Sequence, residues 1–188
     1  MSDWFTQIVG KRLYLVRKPL EHKREVSSRF ESSLNGTTSR PTISYTNEAQ
    51  FLLISHSSTI DLGKRSGLDS KLSTEVFRPN FVIASPAPYQ EDHWRLIKIG
   101  TQYFRYLGLC NRCQMICIDK ETLTVGVEPL KTLTSYRRVE VLFMILNAVT
   151  HAQSNVFFGV LLVHDPALSQ QPYKFDPHGP VEILESAS

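Results

Sequence analysis

The chain is poor in sulfur and poor in long apolar runs. It holds three cysteines in 188 residues, Cys110, Cys113 and Cys117, all in one window. An odd, clustered set does not build a disulfide framework, so reduced thiols in a cytosol-like, cytoplasmic compartment are expected. The longest apolar stretches, Val139 to Val149 and Val156 to Val163, fall short of the roughly 20 residues of a membrane span, and the first residues lack the basic-then-apolar layout of a signal peptide. No membrane partner is expected. Blocks of like charge are missing as well. Twenty-one basic against 18 acidic residues leave a net charge of +3, too little to wrap a polyanion, which argues against nucleic acid and for a pocket-sized anion. No internal repeat is visible.

What is present is enough apolar material, 41% of the chain, for one domain over 1–188 that folds without disulfide or metal staples. Trp4, Phe5 and Ile8 are spaced for a short helix, with Asp3 as cap and Gly10 as stop. Leu13, Leu15 and Val16 read as a strand. Residues 19–40 and 63–73 are polar and read as exposed loops, with little function expected in the first. Between them, Phe51 to Ile54 reads as a buried strand and Ser57 to Leu62 as a helix start. Phe81 to Ile83 reads as a core strand, Leu96 to Tyr106 as a hairpin around Gly100, and Met115 to Ile118 as a strand followed by an acidic turn at 119–124. Residues 128–138 fit a short helix or a loop. Val156 to Val163 and Val181 to Leu184 supply late strands. Short strands without long helical crossovers predict a mainly β, barrel-like fold with a few short helices rather than a parallel α/β sheet.

The hairpin leads directly into Cys110-Asn111-Arg112-Cys113. Only a thiolate attacks or ligates a metal, and neighbouring positive charge favours it. A Cys-x-x-Cys pair is half a zinc site, a redox pair, or two buried apolar-like cysteines. His151 and His164 lack paired spacing, which argues against zinc. The strand-forming Met115-Ile116-Cys117-Ile118 argues against the helix of a thioredoxin-like motif. The pair alone leaves the choice open.

Its surroundings narrow the choice. Phe77-Arg78-Pro79-Asn80-Phe81-Val82-Ile83, Glu91-Asp92-x-Trp94, Ile97-x-Ile99-Gly100, Gly108-x-Cys110-x-Arg112-Cys113, Cys117-Ile118-Asp119 and Glu128-Pro129-Leu130-x-Thr132-Leu133-x-Ser135-Tyr136-Arg137 occur in this order with short gaps. The ordered set resembles the MOSC family, from about Trp4 to Leu184. Asn47 to Ile54 and Arg112 to Asp119 look most like the molybdenum cofactor sulfurases within it. The resemblance implies a β-barrel-like MOSC domain that binds the molybdenum cofactor (molybdopterin) and takes part in sulfur transfer to molybdenum. It implies Cys113 as the reacting thiol and metal contact, a soft ligand on a metal that accepts one. It further implies cofactor binding by Arg78, Asn80, Asn47, Asn111, Arg112 and Cys110, with guanidinium groups suited to phosphate. Trp94 and Tyr136 read instead as packing, and Asp119 as a turn cap.

The same resemblance implies, as partners, a cysteine desulfurase domain and recipient molybdoenzymes. Pyridoxal phosphate belongs to that desulfurase domain, which the reading does not expect before Met1. Two other functions share the motifs: a stand-alone molybdenum reductase of the amidoxime-reducing kind, and a non-catalytic fragment that holds cofactor without turnover. The apolar insert at 139–155 departs from the family pattern and is expected to be a gene-model error such as a retained intron; a mature transcript encoding 141–153 refutes that.

Overall fold

Burial alternates along Trp94–Ile99 and again along Gln102–Asn111, and Gly100 sits between them at φ +60°, the backbone that a tight reversal needs. A hairpin results. The structure is a computed structural model that describes residues 2–19, 21–34, 40–138, 155–174, 176 and 178–187. In chain order its elements are α1 (Ser2–Val9), β1 (Arg24–Glu25), β2 (Thr42–Ile43), β3 (Phe51–Ser55), α2 (His56–Ser66), β4 (Phe81–Ile83), β5 (Trp94–Ile99), β6 (Gln102–Asn111), α3 (Leu130–Tyr136), β7 (Phe157–Asp165) and β8 (Val181–Ser186). Short one-turn helices fill several connections. The insert expected at 139–155, and His151 within it, fall almost wholly outside the described residues.

Six strands form one curled, half-barrel sheet in the order β4-β3-β7-β6-β5-β8, antiparallel except for the parallel pair β3 and β4. The fold is mainly β with few short helices, as the pattern of short strands predicts. Central β7 is buried along almost its whole length, because both of its faces are covered. Val160 and Leu162 face one cluster with Leu53, Trp94, Ile97 and Phe104. Leu161 and Val163 face a second, with Val26, Phe30, Leu34 and Leu107. Phe158 breaks the alternation and joins a third cluster under α2 and α3, with Ile54, Leu62, Phe77 and Leu133. Gly159 at φ +76° causes the break. Pairing slips there from Leu109↔Val160 to Asn111↔Phe157, so two steps on β6 meet three on β7, a bulge that flips the following side chain.

Four sequence expectations need correction. Leu13, Leu15 and Val16 form no strand. The amides of Leu13 and Leu15 donate to the hydroxyls of Thr6 and Ser2 on α1, so they are unavailable to a ladder. Met115 to Ile118 is a helical turn rather than a strand. The Ile116 amide bonds back to the Cys113 carbonyl at 3.3 Å and the Ile118 amide to that of Met115 at 3.4 Å. Within 19–40, Val26, Phe30 and Leu34 are buried, the first just after β1 and the other two on a short helical stretch that packs against β6. In 63–73, α2 runs on to Ser66 and Leu72 is in the core. The predicted helix at the N-terminus is present as α1, yet it buries none of its residues.

Candidate functional site

The bulge in β7 also turns two successive carbonyls toward arginine side chains. Arg137 Nε donates to the Phe157 carbonyl at 3.0 Å, and Arg112 Nε to the Phe158 carbonyl at 2.8 Å. The close fit demands glycine at 159. A Cβ there would lie 2.8 Å from Ile54 Cγ1, 2.9 Å from the Leu53 carbonyl and 3.4 Å from Arg112 Nη2. The neighbouring backbone bond, from the Arg112 amide to the Val156 carbonyl at 2.7 Å, fixes where β6 leaves the sheet.

Arg112 then reaches across to the turn at Thr74–Phe77. Its Nη1 donates to the Phe77 carbonyl at 3.2 Å, and the guanidinium lies over the Phe77 ring, 5.3 Å from the centroid. Nη2 is buried and has no hydrogen-bond partner. No carboxylate among the described residues stands within ion-pair distance of this guanidinium, in contrast to Arg137, which pairs with Asp92 at 2.6 Å. Burial lowers the pKa of Arg112, against the pull of the Cys110 and Cys113 thiols and Glu48. The result is a largely buried guanidinium beside two thiols, with no ion-pair partner among the described residues.

Arg78 and Cys113 are each one residue removed from the Arg112–Phe77 bond. Arg78 closes the turn in the left-handed region at φ +55°, a conformation uncommon for a residue with a side chain. Its side chain is exposed, and the guanidinium has no hydrogen bond or ion pair among the described residues. Asn80, at the mouth of β4, exchanges two bonds with Leu52: its Oδ1 accepts the Leu52 amide and its own amide donates to the Leu52 carbonyl, both at 2.8 Å. The Asn80 carboxamide is thereby fixed, with its NH2 group turned to the exposed side.

The three thiols differ in setting. Cys113 is exposed, Cys110 half-buried and Cys117 buried. Burial raises the pKa of Cys110, opposed by Arg112, and burial likewise raises that of Cys117. Cys110 packs against the cluster of Phe30 and Leu107. The Arg112–Phe77 bond brings the turn that carries Arg78, with Asn80 two residues on, against the segment that carries Cys113. Asn111 is exposed at the last position of β6, directly before Arg112. Asn47 stands apart, on the wall of a cleft of ≈ 270 Å³ whose other walls include Arg24, Arg29, Phe30 and Glu48. Glu48 links the two places, since it pairs with Arg29 and acts electrostatically on both Cys110 and Arg112. Asp119 caps its turn as expected, accepting the amides of Glu121 and Thr122.

Sequence reasoning missed Arg24 and Arg29, which lie in the segment expected to be idle, and the carbonyl of Phe77, which carries the connection between Arg78 and Cys113. The first had a signal: Val26, Phe30 and Leu34 recur every fourth residue, which marks a packed face within a polar stretch. A main-chain acceptor leaves no such mark.

The MOSC domain family model matches residues 40–167. Among curated proteins, molybdenum cofactor sulfurase of Arabidopsis thaliana is 42% identical over 150 residues, 74% of this chain and 18% of the relative. That of Oryza sativa subsp. japonica is 38% identical over 181 residues, 88% and 20%, and that of Homo sapiens 32% over 154 residues, 76% and 17%. The chain spans about a fifth of the length of these relatives.

Proposed function

Because the chain belongs to the MOSC domain family, we propose that it binds the pterin-based molybdenum cofactor and takes part in placing sulfur on the molybdenum, with Cys113 as the reacting thiol. The matched relatives carry the name molybdenum cofactor sulfurase, and that activity is brought to this chain as part of the proposal.

One observation supports it most. Arg112 keeps a buried positive charge with no carboxylate of its own and with Nη2 unbonded, directly before an exposed thiol. A buried cation is costly unless an anion or hydrogen-bond acceptors stand against it. Arg78, exposed and without a partner among the described residues, offers a second guanidinium one residue from the Phe77 carbonyl that Arg112 binds. This donor set fits an anionic ligand that also presents a sulfur-accepting metal. Arg78 and Arg112 would hold the phosphate by charge-assisted bonds, and the NH2 group of Asn80 a polar edge of the pterin. Asn111 and Cys110 lie on the end of β6 that leads into this segment, and Asn47 would contribute from the neighbouring cleft. When bound, the cofactor supplies a molybdenum centre that accepts thiolate or sulfide. For its part, the chain holds that ligand in place and presents the exposed Cys113 sulfur to it.

The test is metal analysis of the purified chain after exposure to the cofactor, with pterin fluorescence after oxidation and an assay for labile sulfur. Molybdenum and pterin should be retained together with labile sulfur by the wild type, and Cys113→Ser should lose molybdenum and sulfur while Cys110→Ser loses less. Retention of neither molybdenum nor pterin by the wild type would reject the reading, and equal losses from both substitutions would move it to a paired redox site.

A further inference from the structure

Beside Cys113 the surface is apolar. Met115, Leu123, Val125 and Val127 are 58%, 75%, 59% and 65% exposed. Backbone bonds bring them to the thiol's own turn. The Gly126 amide donates to the Cys117 carbonyl at 2.9 Å, the Asp119 amide to that of Thr124 at 3.0 Å, and Ile118 bridges Val125. The tip of this loop is held against its preference. Leu123 lies at φ +57°, a region that costs a residue with a side chain about 1–2 kcal/mol. The Asp119 carboxylate, which takes two amides and the Thr122 hydroxyl on Oδ1, keeps the loop in that shape. Backbone strain that holds a leucine in water points to a binding surface rather than to packing.

We propose that Met115, Leu123, Val125 and Val127 form the docking surface for a protein that carries sulfur as a cysteine persulfide and delivers it to Cys113. The inference rests on Cys113 as the sulfur-bearing thiol. It names the donor because sulfane sulfur passes only between thiols at bonding distance: a protein that brings its persulfide to Cys113 must cover the residues around it. The relatives have about four-fifths of their length outside the matched region, ample for such a body. Lys120 at this margin is paired with Glu75, and the four exposed apolar side chains supply the contact. In the transfer the Cys113 thiolate attacks the outer sulfur of the donor's Cys–S–SH. A new sulfur–sulfur bond forms on Cys113, the donor's own sulfur–sulfur bond breaks, and the donor cysteine leaves as thiolate. The outer sulfur keeps its proton and no net oxidation occurs.

The experiment compares two donors on the same chain: a pyridoxal-phosphate cysteine desulfurase charged with radiolabelled cysteine, and glutathione persulfide. Label on Cys113 is followed over time by peptide mass analysis. The double variant Leu123→Asn, Val125→Thr keeps the shape of the loop, since asparagine tolerates the left-handed region and threonine matches valine in outline. Labelling from the protein donor should fall about tenfold or more, as for loss of a central apolar contact, while labelling from glutathione persulfide stays unchanged. Equal labelling of wild type and variant by the protein donor overturns the docking surface, as does an equal fall with both donors. A wild type labelled by glutathione persulfide alone also overturns it, with Cys113 still standing as acceptor. A wild type that neither donor labels rejects the acceptor assignment and the surface with it. Self-association of the wild type that the variant abolishes would reassign the patch to a second copy of the chain.

Discussion

Two arginines seat the opening of β7, and they are held in opposite ways. Arg137 donates to the Phe157 carbonyl and pairs with Asp92, both partners almost wholly buried. Burial works against its charge but the Asp92 carboxylate outweighs it, so its pKa lies above the ordinary value. Arg112 donates to the next carbonyl along, that of Phe158, has no carboxylate partner, and its pKa lies below the ordinary value. Adjacent carbonyls on one strand thus receive a neutralised charge and an unneutralised one. The difference is one of neutralisation: the paired arginine locks α3 to the sheet, whereas the other leaves positive charge next to a thiol at the candidate site.

The strongest way to break this contrast is to remove Asp92. Asp92→Ala strands the Arg137 cation in the interior and should lower stability by about 3–5 kcal/mol in urea unfolding. The double change Asp92→Leu, Arg137→Met should recover much of that loss, since apolar residues of similar volume often replace buried pairs without cost. Arg112→Met comes next, at about 1.5–3 kcal/mol for bonds from a charged donor. Here the sharper readout is cofactor retention, which should fall at least about tenfold. If Arg137→Met and Arg112→Met lost stability and retention alike, the contrast between the two arginines would collapse.

A third, smaller effect concerns pH. Glu91 is buried behind Arg137 and Asp92, accepts the Ser58 hydroxyl at 2.7 Å on Oε1, and leaves Oε2 unbonded. Burial raises its pKa above the ordinary 4.5, with Asp92 adding to the rise against the Ser58 bond. The folded state therefore favours the protonated acid. That contribution is complete below pH 4.5 and is lost as pH rises through the raised value. Glu91→Gln is neutral throughout, so the wild type should lose stability relative to this variant as pH rises above 4.5; a constant difference would show that Glu91 titrates normally. The smallest effect belongs to the thiols. Cys113→Ser should change stability by less than about 0.5 kcal/mol and Cys117→Ser by about 1 kcal/mol or more, because only the second is buried.

The hairpin of β5 and β6 is legible because alternation and one glycine specify it locally. β7 is legible because a continuous apolar run needs two covered faces. Met115 to Ile118 misleads for the complementary reason: β-forming side chains make a strand only where an open edge receives them, and here the Arg112 amide already holds the Val156 carbonyl. The residue types of the candidate site, Cys113, Arg112, Arg78 and Asn80, stand out in the chain as motifs. Their connection does not, because it runs through the Phe77 carbonyl and the backbone freedom of Gly159, and neither announces itself in a one-dimensional pattern.

The order of the strands also governs how the molecule meets its own copies. The sheet ends on β4, three residues long, and on β8, which carries Glu182 and Glu185. A border so brief offers few free amides to an incoming chain, and charged side chains on the other, Glu182 paired with Lys98 and Glu185 on the same strand, blunt edge pairing. Both margins of the sheet are thus poor templates for an added strand, which keeps the apolar loop beside Cys113 from being joined to an open β edge.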